Sequence, residues 1–163
     1  MLLVILKRKL TINPSAVKCS CTSEIKQAWV NKWRSSDKGL LVAKIDKNTS
    51  SAHFLRCISN SSISQKSTSL TTQLLTEHIP LNAYLKRFNL VDNTRCPACG
   101  RSLETVTHFL LHYPNYTYKR WALEKHLRKK KIVLTQENLL GKAEALLPLT
   151  IYIDATHRFS QNP

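Results

Sequence analysis

Glycine is the residue that most constrains this chain, because only three occur in 163 positions: Gly39, Gly100 and Gly141. Tight turns that need a positive φ angle usually contain glycine, so a fold with many short hairpins is not expected. The scarcity argues against a β-sandwich or a β-barrel and favours helices. No two glycines lie close together, which also excludes a glycine-rich phosphate-binding loop.

The charge balance of the chain is strongly basic. Lysine and arginine number 25 against 10 aspartates and glutamates, which leaves a net charge of +15. A surplus of this size repels itself in a compact molecule unless a polyanion shares it. Nucleic acid is the first candidate partner, because phosphate contacts are mostly electrostatic. An anionic membrane is a weaker candidate, because no basic amphipathic helix with a Trp/Leu face dominates the sequence.

Cysteine usage and the N-terminal residues bear on the cellular compartment. The five cysteines are Cys19, Cys21, Cys57, Cys96 and Cys99. An odd number without a signal peptide argues against a disulfide framework. The opening MLLVILKRKL is too short in its apolar part for a signal peptide or a membrane span, and no later stretch approaches a span. We therefore expect a nuclear or cytoplasmic protein that is not secreted and does not enter a membrane.

Apolar residues recur at helical spacing along most of the chain. Ile25, Trp29 and Trp33 share one face of a predicted helix that follows Ser23, and we expect the Trp29/Trp33 pair to pack in the core. Further helices are predicted over residues 67–78, 81–88, 103–112, 116–131, 136–146 and 148–159. The expected fold class is all-α, a small helical assembly interrupted by one cysteine-containing turn. The expected parts are a poorly ordered leader (1–22), a helical domain (23–159) and a tail (160–163).

The most specific motif is Cys96-Pro-Ala-Cys99-Gly100. Two thiolates separated by two residues can bind one tetrahedral metal ion from a tight turn. His108 and His112 follow, and their spacing of four places them on one helix face. These two cysteines and two histidines predict a closed, structural zinc site, so that residues 96–113 form a zinc-knuckle-like segment. Two alternatives stay open: His112 is a surface histidine at a helix end, or the cysteines are a redox pair, which would need a thioredoxin-like setting that this chain lacks.

Several of these motifs occur together in a known family. The stretches HIPLNAYLKRF and DNTRCPACGRSLETVTHFLLHYP resemble the region after the ribonuclease H domain of non-LTR retrotransposon polyproteins, most closely the copies found in fungal genomes. The upstream tryptophan-containing helix and KGLLVAKID also look like this family, so the resemblance covers roughly residues 24–159. The residues in register are Cys96, Cys99, Glu104, Thr105, His108, Phe109, Leu110, Leu111, Pro114, Ile151, Tyr152, Ile153, Thr156, Arg158 and Phe159.

The chain departs from the family pattern at two places. Tyr113 stands where the resemblance implies a fourth ligand, a cysteine, and tyrosine is not among the usual zinc ligands. Three alternatives follow: His112 substitutes for the cysteine, the site has three ligands and binds weakly, or the site has been lost. Leu75 and Glu77 replace a basic and a small residue of the family, which is consistent with a degenerating copy.

The carboxylates of the chain are too scattered for catalysis. A polymerase needs carboxylates that hold two metal ions, and the resembled polyprotein supplies them in its reverse-transcriptase domain. The aspartates here are isolated in the sequence: Asp37, Asp46, Asp92 and Asp154. No nucleophile elbow or Cys–His arrangement with a third partner is found. We therefore expect a chain that is not an enzyme.

A strongly basic segment follows the cysteine motif. Residues 116–131 hold one acidic residue, Glu124, and seven basic ones: Lys119, Arg120, Lys125, Arg128, Lys129, Lys130 and Lys131. These cations can neutralise phosphates, and neighbouring aromatic rings can stack on unpaired bases. The alternative is a solvated helix that sends Trp121, Leu123 and Leu127 into the core. We favour nucleic-acid contact through phosphates, with little sequence readout.

Three functions are compatible with these patterns. The resemblance implies a zinc-binding, nucleic-acid-binding C-terminal fragment that positions RNA or DNA for upstream reverse-transcriptase domains. A zinc-dependent protein-interaction module would instead form partner complexes that survive nuclease treatment. A relic without function would bind no metal and fold only marginally.

Overall fold

The computed structural model describes residues 14–35, 45 and 63–160. The α-helices of these residues are α1 (Pro14–Arg34), α2 (Gln65–Thr76), α3 (Asn82–Leu85), α4 (Thr117–Lys129), α5 (Gln136–Gly141) and α6 (Ala143–Thr156). The described residues also contain two short 3₁₀ helices, at Lys86–Phe88 and Pro114–Tyr116, and a π-helix at His108–His112. Strand pairing within this part of the chain is limited to one isolated bridge between Arg95 and Leu103. The all-α prediction is confirmed.

The core forms where the last three α-helices meet the π-helix. Helix α4 packs mainly against α6, while α5 packs against α6 and α2. Phe109, Leu127, Leu139 and Leu149 are completely buried at the centre. In the described residues, no helix combines the length and the apolar character needed to span a bilayer.

Side chains at the helix termini explain why two of the helices begin where they do. Ser64 Oγ accepts a hydrogen bond from the Ser67 amide before α2, and Thr135 Oγ1 accepts one from the Asn138 amide before α5. Both hydroxyls satisfy amides that have no partner within the helix. At the other end of α2, Glu77 takes a left-handed φ of 59° and stops the helix before Pro80.

Helix α1 differs from its sequence-based prediction in two respects. It begins at Pro14 instead of after Ser23, and it therefore includes the end of the predicted leader. The prediction that the tryptophan pair packs in the core is wrong for Trp29, which is exposed, as is Ile25 on the same face. Helical spacing decides that residues share a face, whereas a neighbouring element decides whether that face is covered. The side chain of Trp33 and the residues 161–163 of the predicted tail lie outside the described residues.

The C-terminal helices divide at Lys142 instead of near Pro148. Pro148 lies inside α6, where it has no amide hydrogen for the carbonyl of Glu144. Lys130 Nζ, from the end of α4, donates to this carbonyl oxygen at 3.0 Å. The ammonium group supplies the missing donor, so the helix continues through the proline.

Candidate metal centre

The cysteine turn is closed by backbone hydrogen bonds. The Cys96 amide donates to the Ser102 carbonyl and the Gly100 amide donates to the Cys96 carbonyl, both at 2.8 Å. Gly100 has a φ of +64°, a left-handed conformation that glycine adopts without steric cost. These bonds fold the backbone so that Cys96 and Cys99 face the same point.

The backbone around Cys99 favours the thiolate form of its side chain. The amides of Ser102 and Arg101 hydrogen-bond to the Cys99 sulfur and hold the pKa of this thiol below its usual value. Since the thiolate is the form that binds metal ions, this arrangement prepares Cys99 as a ligand.

His108 reaches the cysteines from the first turn of the next helical segment. Thr105 starts this segment, because its Oγ1 accepts a hydrogen bond from the His108 amide at 3.2 Å. The imidazole of His108 is buried, with Nε2 3.7 Å from Cys99 Sγ. Burial lowers the pKa of His108, and the charge of the nearby His112 lowers it further. The neutral imidazole that a metal ion requires is therefore favoured.

Cys96, Cys99 and His108 together fit a zinc ion. Their three ligand atoms lie within 4.8 Å of one another, and they form the metal-binding group found among the described residues. Ligand atoms around a tetrahedral zinc lie about 3.5–3.8 Å apart, since Zn–S bonds are about 2.3 Å and Zn–N bonds about 2.0–2.1 Å. The separation of 3.7 Å between Cys99 Sγ and His108 Nε2 meets this requirement. Two thiols and an imidazole are also the donor types that zinc prefers.

The two candidates for a fourth ligand lie beside this cluster. His112 is exposed, and its ring centroid is 6.4 Å from that of His108. Tyr113 is buried, with its ring 5.9 Å from the His108 ring and stacked on Tyr116 at 4.5 Å. Burial raises the pKa of the Tyr113 phenol, which keeps it neutral and unsuited to replace a thiolate. His112 as the fourth ligand stays a prediction.

Side chains from two other helices hold the π-helix that carries His108. Arg120 of α4 donates to the carbonyl oxygens of Leu110 and Tyr113 at 3.0 and 2.6 Å. The Tyr152 hydroxyl of α6 donates to the Phe109 carbonyl at 3.0 Å. These donors satisfy carbonyls at the end of the segment that have no helical partner.

An ion pair with a buried carboxylate joins the segment between the cysteine turn and the π-helix to the residues that follow α6. The Glu104 carboxylate has no solvent exposure and accepts three hydrogen bonds from the Arg158 guanidinium at 3.0–3.2 Å. It also accepts one from the Asn82 amide at 2.8 Å. Sequence analysis missed this pair, although both partners belong to the motifs quoted above.

The structure places the predicted basic residues on α4 and in the two positions after it, and they fall into three groups. Lys125, Arg128 and Lys129 are exposed on the side opposite the buried Leu123 and Leu127. Lys131 is exposed just after α4, and Lys119 is partly buried, with its Nζ 5.4 Å from the Tyr116 ring centroid. Arg120 and Lys130 donate to backbone carbonyls instead. Trp121 is exposed, so the alternative prediction that its ring packs in the core is wrong.

The fold and the cysteine–histidine cluster define a small helical protein with a structural zinc-binding module. Residues 39–121 match the family model zf-RVT, described as zinc-binding in reverse transcriptase. The match spans just over half of the 163 residues, and the chain belongs to this family. The resemblance to a region associated with reverse transcriptase is thereby confirmed, and so is zinc as the cofactor. Neither the curated proteins nor the solved structures contain a match to this chain.

Proposed function

We propose that the chain is a nucleic-acid-binding C-terminal region of a non-LTR retrotransposon reverse transcriptase, of the type found in fungal genomes. It binds RNA or DNA mainly through phosphates and positions it for upstream polymerase domains. The observation that carries the proposal is the exposed basic face of α4, formed by Lys125, Arg128 and Lys129. The ion pair between Arg128 and Glu124 is exposed, so exchanging Glu124 for a phosphate costs little free energy.

The zinc site gives this basic face a fixed orientation. Cys96 and Cys99 would hold the ion together with His108, and the bound ion supplies a cross-link between the cysteine turn and the π-helix. Arg120 extends the link, because it lies on α4 and hydrogen-bonds to the end of the π-helix. The cysteine turn, the π-helix and α4 therefore form one connected unit.

We propose in addition that the chain has no catalytic activity of its own, and two of its glutamates are held in ion pairs. Glu104 is neutralised by Arg158, and Glu124 pairs with Arg128. Within residues 14–35, 45 and 63–160, the group of three or more His, Cys, Asp or Glu side chains placed to hold a metal ion is Cys96, Cys99 and His108.

Removing lysines from the α4 face is expected to reduce the salt dependence of binding. In the double variant Lys125→Gln/Lys129→Gln, the slope of log affinity against log salt becomes shallower by about 1 per lysine, because fewer counterions are released. Fluorescence anisotropy with a labelled oligonucleotide over a series of salt concentrations measures this slope.

A matched variant separates the face from the total charge. Lys66→Gln/Lys86→Gln removes the same charge from exposed positions on α2 and on the 3₁₀ helix after α3, and it should leave the slope nearly unchanged. Equal slopes for both double variants, or wild-type binding that is insensitive to salt, would contradict the proposal.

A further inference from the structure

We propose that unpaired bases stack on Tyr118 and Trp121 of α4, which makes single-stranded nucleic acid the partner of the basic face. The inference rests on the proposed nucleic-acid function and adds the class of strand. Both rings are unusually open to solvent, since Tyr118 is 89% exposed and Trp121 is 63% exposed. Neither ring is needed for packing, because Leu123 and Leu127 bury the opposite side of the helix.

The two rings and the phosphate-binding cations form one stripe along α4. Tyr118, Trp121, Lys125 and Lys129 follow each other at spacings of three and four, so they lie on one side of the helix. Lys125 Nζ lies 5.4 Å from the centroid of the Trp121 ring. Two aromatic rings followed by two cations on one side of a helix provide the stacking surfaces and the phosphate partners that single-stranded nucleic acids use.

An apolar groove beside Tyr118 offers room for a base. The groove has a volume of about 300 Å³ and lies between α4 and α6. Its walls include Ala122, Ile151 and Ala155, and Lys119 is a cation at its edge. Among the described residues, those that line the groove include no aspartate or glutamate, so a polyanion can approach these walls without repulsion. The positive charge of Lys119 favours a nucleic acid over an apolar peptide as the occupant of the groove.

A comparison of normal and abasic strands tests the proposal. The full chain is titrated against labelled oligothymidylate and against an abasic strand of the same length, which keeps the phosphates and lacks the bases. Wild type should bind oligothymidylate about a hundredfold more tightly than the abasic strand, since stacking on each of the two rings contributes about tenfold. Tyr118→Ala and Trp121→Ala should each lose about tenfold affinity for oligothymidylate and none for the abasic strand.

The controls distinguish stacking from unfolding and from electrostatics. Phe88→Ala removes another exposed ring, away from α4, and should not change either affinity. Trp121→Phe should retain most of the affinity, because a stacking surface remains. The stacking proposal would be overturned if wild type bound both strands equally. It would also be overturned if the alanine variants bound oligothymidylate as wild type does. An apolar protein segment would then be the next occupant of the groove to test. Salt-independent binding or no binding of either strand would overturn the proposed function itself.

Discussion

Serine in place of Cys99 is expected to remove zinc from the protein. The wild-type chain should carry one zinc ion and the Cys99→Ser variant none, because one of three clustered ligands is replaced by a hydroxyl group. Loss of the ion should also lower the melting temperature, since the binding energy of structural zinc, about 10–16 kcal/mol in zinc-finger peptides, is folding energy. Metal analysis and thermal unfolding, with and without a chelator, measure the two effects.

Cys99 is a cleaner target than Cys96. Cys99 is only half-buried, whereas Cys96 is completely buried. Serine at Cys96 would leave an unpaired hydroxyl group in the core, which would destabilise the protein even if zinc binding did not change. His126→Ala, at an exposed position of α4, is the control that should keep the zinc. His112→Ala tests the fourth ligand, because removing His112 lowers the zinc content only if this histidine coordinates the ion. Full zinc content in Cys99→Ser would refute the proposed ligand set.

Alanine in place of Arg158 is expected to destabilise the fold by about 3–5 kcal/mol, because it leaves the Glu104 carboxylate buried without its cation. A loss of this size lowers the melting temperature of a domain like this by about 10 °C. Glu104→Gln should cost less, since glutamine can still accept the hydrogen bond from the Asn82 amide and Arg158 remains partly exposed to water. Chemical denaturation of both variants measures the difference.

The second arginine–glutamate pair of the structure is a matched control. Arg128→Ala removes the exposed pair with Glu124 and should change the free energy of unfolding by only about 0–1 kcal/mol. Similar losses for Arg158→Ala and Arg128→Ala would show that burial of Glu104 does not control the strength of its pair.

Short-range features of this chain were predictable from its sequence. The zinc ligands Cys96 and Cys99 are separated by two residues, and His108 follows within the same local segment, so spacing alone identified the cluster that the structure assembles. The helices of the C-terminal half were also recognised from apolar spacing, with their ends displaced by a few residues.

The errors arose where a distant partner decides the local structure. Pro148 was expected to divide two helices, but Lys130 supplies a donor to the freed carbonyl and the helix continues. His108–His112 was expected to be ordinary helix, but it is a π-helix whose carbonyls are held by Arg120 and Tyr152. Neither interaction follows from spacing, because the partners come from other helices.

The amino-acid sequence by itself determined the helical class, the basic character and the three clustered zinc ligands. Each depends on composition or on residues close together in the chain, where backbone geometry restricts what neighbouring side chains can do. Tertiary structure alone decided that Glu104 pairs with Arg158 and that Arg120 donates hydrogen bonds to the end of the π-helix. It also decided that Tyr118 and Trp121 face solvent. These outcomes depend on which surfaces are removed from water when the helices pack, and burial is a property of the whole fold.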